Sequence, residues 1–304
     1  MSSTIINASG PVTRLGGSLM PEAALKAYTK AAATSVSMDQ LQGEAAKRIT
    51  KVTGAESGLV CSGAAAGLTL GAAAIMAGHD LRRMECLPHA DNFSNEFVIA
   101  REQRNGYDHA VRAAGAHLVE VGMNEQVAGS GVRRTEAWEY EVAFGEKTAG
   151  VLYVYSPNSS PTLDEVVAVA RKHKLPVLVD AAGELPPREH LASILATGVD
   201  LVAFSGGKAI RGPQATGILC GKRELISSAA LQMLDMDDHF ELWNPPANLI
   251  DKSKLPGMPR HGIGRALKVS KEDIAALLVA LDLFASGKYE EEVPNACKML
   301  EGII

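Results

Sequence analysis

Three polar positions follow directly on apolar runs, and their types point to one chemistry. Lys208 lies in Phe-Ser-Gly-Gly-Lys-Ala-Ile-Arg-Gly-Pro-Gln (204–214), just after the run Val-Asp-Leu-Val-Ala-Phe (199–204). Gly206, Gly207 and Gly212 bracket it, so it falls on a loop at the carboxyl end of a short buried strand. Ligands of open α/β sheets bind at that edge, and a desolvated lysine is an amine nucleophile that forms Schiff bases. Alone, the motif better describes a solvated surface lysine, the usual fate of this residue. Asp180 ends the preceding apolar run, Pro176 to Val179; a lone aspartate there also fits a helix N-cap or an ion pair with an arginine. Ser62-Gly63-Ala64 follows the run Ser57 to Cys61 and opens a helix of small residues. Free amides at a helix N-terminus beside a hydroxyl and a glycine form an anion site. The same Ala and Gly residues also permit close helix–sheet packing, and both readings can hold together.

An amine, a carboxylate and an anion site at one sheet edge suit pyridoxal 5'-phosphate. The amine forms the Schiff base, and the carboxylate keeps the pyridine nitrogen protonated so that the ring accepts electrons. The helix start takes the phosphate, and Ser205, three residues before Lys208, offers it a further hydroxyl.

These residues need a scaffold, and the remaining pattern predicts one. Residues 5–20 are rich in Gly, Ser and Pro and read as an extended arm. Pro21 and Glu22 open a helix to about Ala33, and a second runs from about Asp39 to Val52 with Leu41, Ala45, Ile49 and Val52 on one face, closed by Gly54. Strands are expected at Phe97 to Ala100, His117 to Val121, Val151 to Tyr155 and Ala215 to Cys220. Between the first two lie a polar turn, Arg101 to Tyr107, and a helix to Ala114. Residues 122–148, with Trp138 and Tyr140, read as a helix or lid. Helices are expected over Thr162 to His173, Arg188 to Ala196 and Ser270 to Ala285, the last capped by Ser270. The alternation of strand, loop and helix predicts an α/β fold with a mostly parallel sheet. Three regions follow: an arm with helices over 1–50, a large domain over 51–243, and a connector leading into a further domain over 244–304. The chain stops at Ile304 in what reads as another helix.

With 304 residues, 46% hydrophobic and 21% charged, the chain can bury a sizeable core. Its net charge of −5 gives no general attraction to nucleic acid or to an acidic membrane surface. Four cysteines, three in apolar runs, show neither a C-x-x-C pair nor zinc spacing, and the scattered histidines suggest no metal site. Neither a signal peptide nor a long apolar span is visible, so a cytoplasmic protein is expected.

Beyond the two strand-end motifs Val-Asp-Ala-Ala-Gly-Glu-Leu-Pro-Pro (179–187) and Asp-Leu-Val-Ala-Phe-Ser-Gly-Gly-Lys-Ala-Ile-Arg-Gly-Pro-Gln (200–214), four shorter stretches carry a family likeness. They are Ile-Asn-Ala-Ser-Gly (6–10), Thr-Gly-Ala-Glu (53–56), Arg-Ala-Ala-Gly-Ala (112–116) and Gly-Arg-Ala-Leu-Lys-Val-Ser-Lys-Glu (264–272). Over nearly all of residues 5–285 the chain resembles the selenocysteine-synthase-like branch of the fold-type-I pyridoxal phosphate enzymes, most of all its D-glucosaminate-6-phosphate ammonia-lyase type of member. The resemblance implies a three-layer, aspartate-aminotransferase-like large domain with helices on both faces of the sheet. The small C-terminal domain usual in such enzymes would be cut short here.

The resemblance also implies roles. Lys208 would be the Schiff-base lysine and Asp180 the pyridinium partner. Ser62, Gly63 and Ala64, with Ser205, would hold the phosphate. Ser156 would contact the phenolic oxygen, and Gln103 would stack on the ring, where the superfamily more often has an aromatic residue or His. Arg104 and Tyr107, on the same turn as Gln103, are candidates for binding a substrate anion or for plain surface positions. The implied reaction is α,β-elimination on a hydroxylated amino acid, with transamination, racemisation and aldol cleavage as alternatives of the same chemistry. Selenium transfer on seryl-tRNA is disfavoured by the acidic charge and by the lack of an added N-terminal RNA-binding region, and a non-catalytic relative is a further alternative. Such enzymes are homodimers or larger homo-oligomers, with the arm (Asn7 to Ser18) and the loop Arg211 to Gln214 reaching toward a partner's site.

Overall fold

Runs of β-branched and aliphatic residues bounded by Gly, Pro and polar residues become strands here, and longer segments of good helix formers become helices. The computed structural model describes residues 5, 7, 9–123, 133–235 and 239–292. The helix expected at the chain end, and Cys297, lie outside them.

Among the described residues, one seven-stranded sheet has the order β1-β7-β6-β5-β4-β2-β3. Its strands are β1 (Ser57–Cys61), β2 (Glu96–Ala100), β3 (His117–Val121), β4 (Thr148–Val154), β5 (Val177–Asp180), β6 (Leu201–Ser205) and β7 (Gly217–Gly221). Pairs β2–β3, β2–β4, β4–β5 and β5–β6 are parallel. Strand β7 runs antiparallel to both β6 and β1. The segment that joins β6 to β7 carries the Lys208 loop and no helix. It cannot make the long crossover that a parallel return needs, so the chain turns back on itself.

Side chains alternate between the two faces of each strand. Val177 and Val179 enter one apolar cluster while Leu178 enters the other, and Val202 and Phe204 part from Leu201 and Ala203 in the same way. The first cluster is completed by α2 (Met38–Thr53), α6 (Ala137–Ala143), α7 (Leu163–Lys172), α8 (His190–Ala196) and α10 (Lys271–Ala285). The second is completed by α3 (Ala64–Ala77), α4 (Leu81–Cys86), α5 (His109–Ala113) and α9 (Arg223–Leu231). The result is the expected three-layer α/β architecture. Helix α1 (Glu22–Ala32) packs on α10.

Local signals placed most helix ends. Ser270 caps α10, Thr162 and Glu165 form a capping box on α7, and Gly54 ends α2 in the left-handed region at φ 73°. In the stretch read as helix or lid, α6 buries Tyr140, whose hydroxyl accepts from the Ala100 N–H at 3.0 Å, while Trp138 is exposed. Helices α4 and α9 do not stand out in the sequence. The first has only six residues, and the second has four Ser and Ala among its nine.

Helix α3 is buried nearly throughout because it lies close against the sheet. A Cβ on Gly71 would press on Leu178 and Leu201, and one on Gly67 would meet Ala203 and Cys61. No helix among the described residues is long and apolar enough to cross a membrane. Cys61 and Cys220 are buried, and burial pushes both thiols up to about 12, which makes them inert core residues; Cys86 is exposed.

Candidate active site

Strand register brings the three polar positions together. Gly217 at the start of β7 pairs with Cys61 on one side and Ser205 on the other, so Ser62 and Ser205 flank one strand at the carboxyl edge. Asp180 pairs with Ala203 on β6 and with Val154 on β4. Asp180 has the parity of Leu178, and Ser205 that of Ala203; both therefore lie on the α3 face. Gly217 is needed at this junction, since a Cβ there would collide with the Gly63 carbonyl and the Ala64 amide.

Ser62-Gly63-Ala64, the expected anion cradle, stands at the start of α3. Helix α3 has no side-chain cap, and Gly63 at its N-cap takes φ 95° with open space where a side chain would stand. The first amides of a long helix therefore face outward, at the end where its dipole favours negative charge. The Ser62 N–H is already spent on the Leu267 carbonyl at 3.2 Å. That bond ties the segment 263–268 to the cradle, an approach that local sequence reasoning missed, because only tertiary packing joins positions so far apart.

Asp180 is 8% exposed, and its Oδ1 accepts from the Ala182 N–H at 3.0 Å. Burial pushes its carboxyl up, while the Ala182 bond and the Lys208 charge pull the other way. Lys208 is half-buried, and among the described residues its Nζ has neither a hydrogen bond nor an ion pair. A carboxylate and an amine at one edge, each short of partners, are free to meet a ligand.

Glycines fold the loop that carries Lys208. The Gly206 N–H donates to Thr216 O at 2.9 Å and the Gly212 N–H to Gly206 O at 2.8 Å. A Cβ on Gly206 would collide with Thr216 and Leu277. The N-terminal arm lies across this loop within the same chain. The Ser18 N–H donates to Gly207 O at 3.2 Å, Gln214 Nε2 to Thr13 O at 3.0 Å, and Arg211 Nε to Leu19 O at 3.1 Å. The arm is not wholly extended, since Thr13–Leu15 form a single 3₁₀ turn.

The turn after β2 places its residues unequally. Gln103 is buried, and its Oε1 accepts from the Val154 N–H at 3.1 Å, one strand away from Asp180. Ser156 is exposed just past β4. Arg104 is committed to Asp108 and Glu120, and the hydrogen bond to Asp108 holds its guanidinium above its ordinary value. Tyr107 is 66% exposed on the outer side of the turn.

An uncapped helix start, a buried carboxylate and an unpaired lysine at one sheet edge fit pyridoxal phosphate, and the cradle, Asp180 and Lys208 are the residues that could hold it. Fold and site define a pyridoxal phosphate enzyme of the aspartate-aminotransferase-like class. In fold the chain is similar to a solved aspartate aminotransferase of Thermus thermophilus (TM-score 0.55, 17% identity, 96% of this chain and 72% of that one). It is more similar to a solved D-glucosaminate-6-phosphate ammonia-lyase (TM-score 0.74, 30% identity, 93% and 68%).

The family model of L-seryl-tRNA selenium transferase matches residues 107–236. A D-glucosaminate-6-phosphate ammonia lyase of Salmonella typhimurium is 30% identical over 292 residues, 93% of this chain and 68% of the relative. A 5'-C-glycyluridine monooxygenase-decarboxylase of Streptomyces sp is 30% identical over 302 residues, 98% and 66%. The chain belongs to this selenocysteine-synthase-like family of pyridoxal phosphate enzymes, and it spans about two thirds of the length of these two relatives.

Proposed function

We propose that the chain is a pyridoxal phosphate-dependent lyase that eliminates a β-hydroxyl from an amino acid, releasing ammonia and a keto acid. The observation that carries this reading is the convergence of the unpaired Lys208 amine, the buried Asp180 carboxylate and the open start of α3 at one edge of the sheet. When bound, the cofactor supplies an electron sink for charge developing at a substrate's α carbon.

Each residue then has a task. The α3 amides, helped by the Ser205 hydroxyl, hold the phosphate and fix the ring's position. Asp180 holds a proton at the pyridine nitrogen, and its burial makes that charge pair strong. Lys208 would hold the cofactor through its amine and would act as general base on the α proton. Ser156 would contact the phenolic oxygen and Gln103 would stack on the ring. The name of the Salmonella relative supports elimination over the alternatives. The reading includes a homodimer or larger homo-oligomer, which sedimentation of the loaded protein checks.

Protein mixed with pyridoxal phosphate should absorb in the visible, and borohydride followed by peptide mapping should place the pyridoxyl group on Lys208. Hydroxylated amino acids should then yield ammonia and keto acid in equal amounts. A colourless protein that takes no label overturns the reading.

A further inference from the structure

A cavity of about 430 Å³ opens between the turn after β2 and the loop after β4. Glu102, Gln103, Arg134, Ser156, Ser159 and Ser160 stand on its wall. Two of its polar atoms, Glu102 Oε1 and Gln103 Nε2, are buried without a hydrogen-bond partner among the described residues. The Glu102 side chain is 5% exposed and Gln103 8%. Each is anchored by its other atom. Glu102 Oε2 accepts from Arg134 Nη2 at 2.8 Å, and Gln103 Oε1 accepts from the Val154 N–H at 3.1 Å. One acceptor and one donor are therefore held in place with hydrogen-bonding capacity that a bound group would use. The space far exceeds the ~30 Å³ share of one water molecule.

Charge narrows the class of ligand. Arg134 is spent on Glu102 through Nε and Nη2 and on Asn158 O through Nη1 at 3.0 Å. Arg104, also on the wall, is paired with Asp108 and Glu120. With both cations engaged, the cavity is poorly suited to a phosphate or carboxylate. A hydroxyl donates to a carboxylate and accepts from an amide with a single atom, and the three serines extend the same chemistry. Val154, to which Gln103 is tied, pairs with Asp180, and Gln103 and Ser156 are also the residues proposed to contact the cofactor, so the cavity adjoins the candidate active site.

We propose that this cavity is a subsite for an uncharged, hydroxyl-bearing chain of the substrate, one hydroxyl accepting from Gln103 Nε2 and donating to Glu102 Oε1. The assignment rests on the function proposed above. The cofactor's phenolic oxygen is the other source of an oxygen for Gln103, and the test separates the two.

D-Gluconate and hexanoate share a carboxylate and a six-carbon chain and differ in hydroxyls. Titration followed by NMR should show gluconate binding about tenfold or more tightly than hexanoate, with and without pyridoxal phosphate bound. In Glu102→Gln, Arg134 retains the amide carbonyl, so an N–H faces the Gln103 N–H and the bridging hydroxyl loses its acceptor. That variant should abolish the preference and Ser159→Ala should reduce it, while Lys208 still takes the borohydride label. Equal binding of the two acids, a preference that survives both substitutions, or gluconate binding confined to the cofactor-free protein overturns the subsite. Failure of Lys208 to label in the unaltered protein overturns the proposed function instead, and the gluconate preference of the cofactor-free protein still decides the subsite.

Discussion

Two aspartates of neighbouring strands are buried to the same extent, 8% exposed each, and each has a lysine near it. They sit at opposite edges of the sheet. Asp200, at the amino edge before β6, has both oxygens taken: Oδ2 by the Val177 N–H at 2.7 Å and Oδ1 by Lys222 Nζ at 2.6 Å. Asp180, at the carboxyl edge, accepts one backbone bond, and Lys208 reaches it only through space. Identical residue types at identical burial thus give a closed structural pair at one edge and an open pair at the other. Burial alone does not mark a site; burial with unused hydrogen-bonding capacity does.

The comparison breaks most sharply at the lysines. Lys208→Ala should remove the borohydride label and lower turnover ~10²–10⁴-fold, the range for loss of a general base, with folding unchanged by circular dichroism. Lys222→Ala should leave the label and turnover intact. If both lysines behave alike, the distinction between the two edges is wrong.

The aspartates come next. Asp180→Asn should cost about 10- to 1000-fold in turnover, the equivalent of a charge pair that shifts a pKa by 1–3 units. Its effect on the cofactor-free chain should have the opposite sign. Burial holds the Asp180 carboxyl above its ordinary value, so the folded state binds more protons than the unfolded one. Stability then falls as pH rises through that window. The melting temperature of Asp180→Asn should therefore exceed that of the unaltered chain at neutral pH, with the gap closing as pH falls toward about 4. Asp200→Asn should instead lower stability by about 1–3 kcal/mol, because satisfied partners are left behind. Thermal melts across pH decide both.

Arg211 tests the smallest effect. It sits in the left-handed region at φ 62°, a position that suits glycine. Its side chain repays that strain by binding Leu19 O, pairing with Glu292 at 2.8 Å, and lying over the Tyr289 ring at 4.6 Å. Arg211→Gly relieves the backbone and loses the contacts, so stability should change by no more than ~1 kcal/mol. Amide exchange in residues 13–19 should nonetheless quicken, because the arm loses one of its three hydrogen bonds to the Lys208 loop.

Much of this arrangement is legible in local sequence. Asp180 closes a four-residue buried strand, and Gly206, Gly207 and Gly212 announce a tight loop around Lys208. The capping residues Thr162 and Ser270 lie where a cap belongs. The bond from Ser62 to Leu267 is not legible, nor is the tie from Gln103 to Val154, since each joins segments that only the folded chain brings close. The same holds for the commitment of Arg104 to Asp108 and Glu120, which a list of arginines on a turn does not reveal.

The sequence by itself determined which residue types stand at strand ends, where helices begin, and that an amine, a carboxylate and an anion cradle share one edge of a mostly parallel sheet. Those features rest on local periodicity and backbone preference, which neighbouring residues settle among themselves. Tertiary structure decided that β7 runs antiparallel between β1 and β6, that Asp180 and Ser205 share the α3 face, and that one aspartate–lysine pair is closed while the other is open. Register and hydrogen-bond satisfaction depend on groups distant in the chain, and their balance is struck only when the sheet assembles.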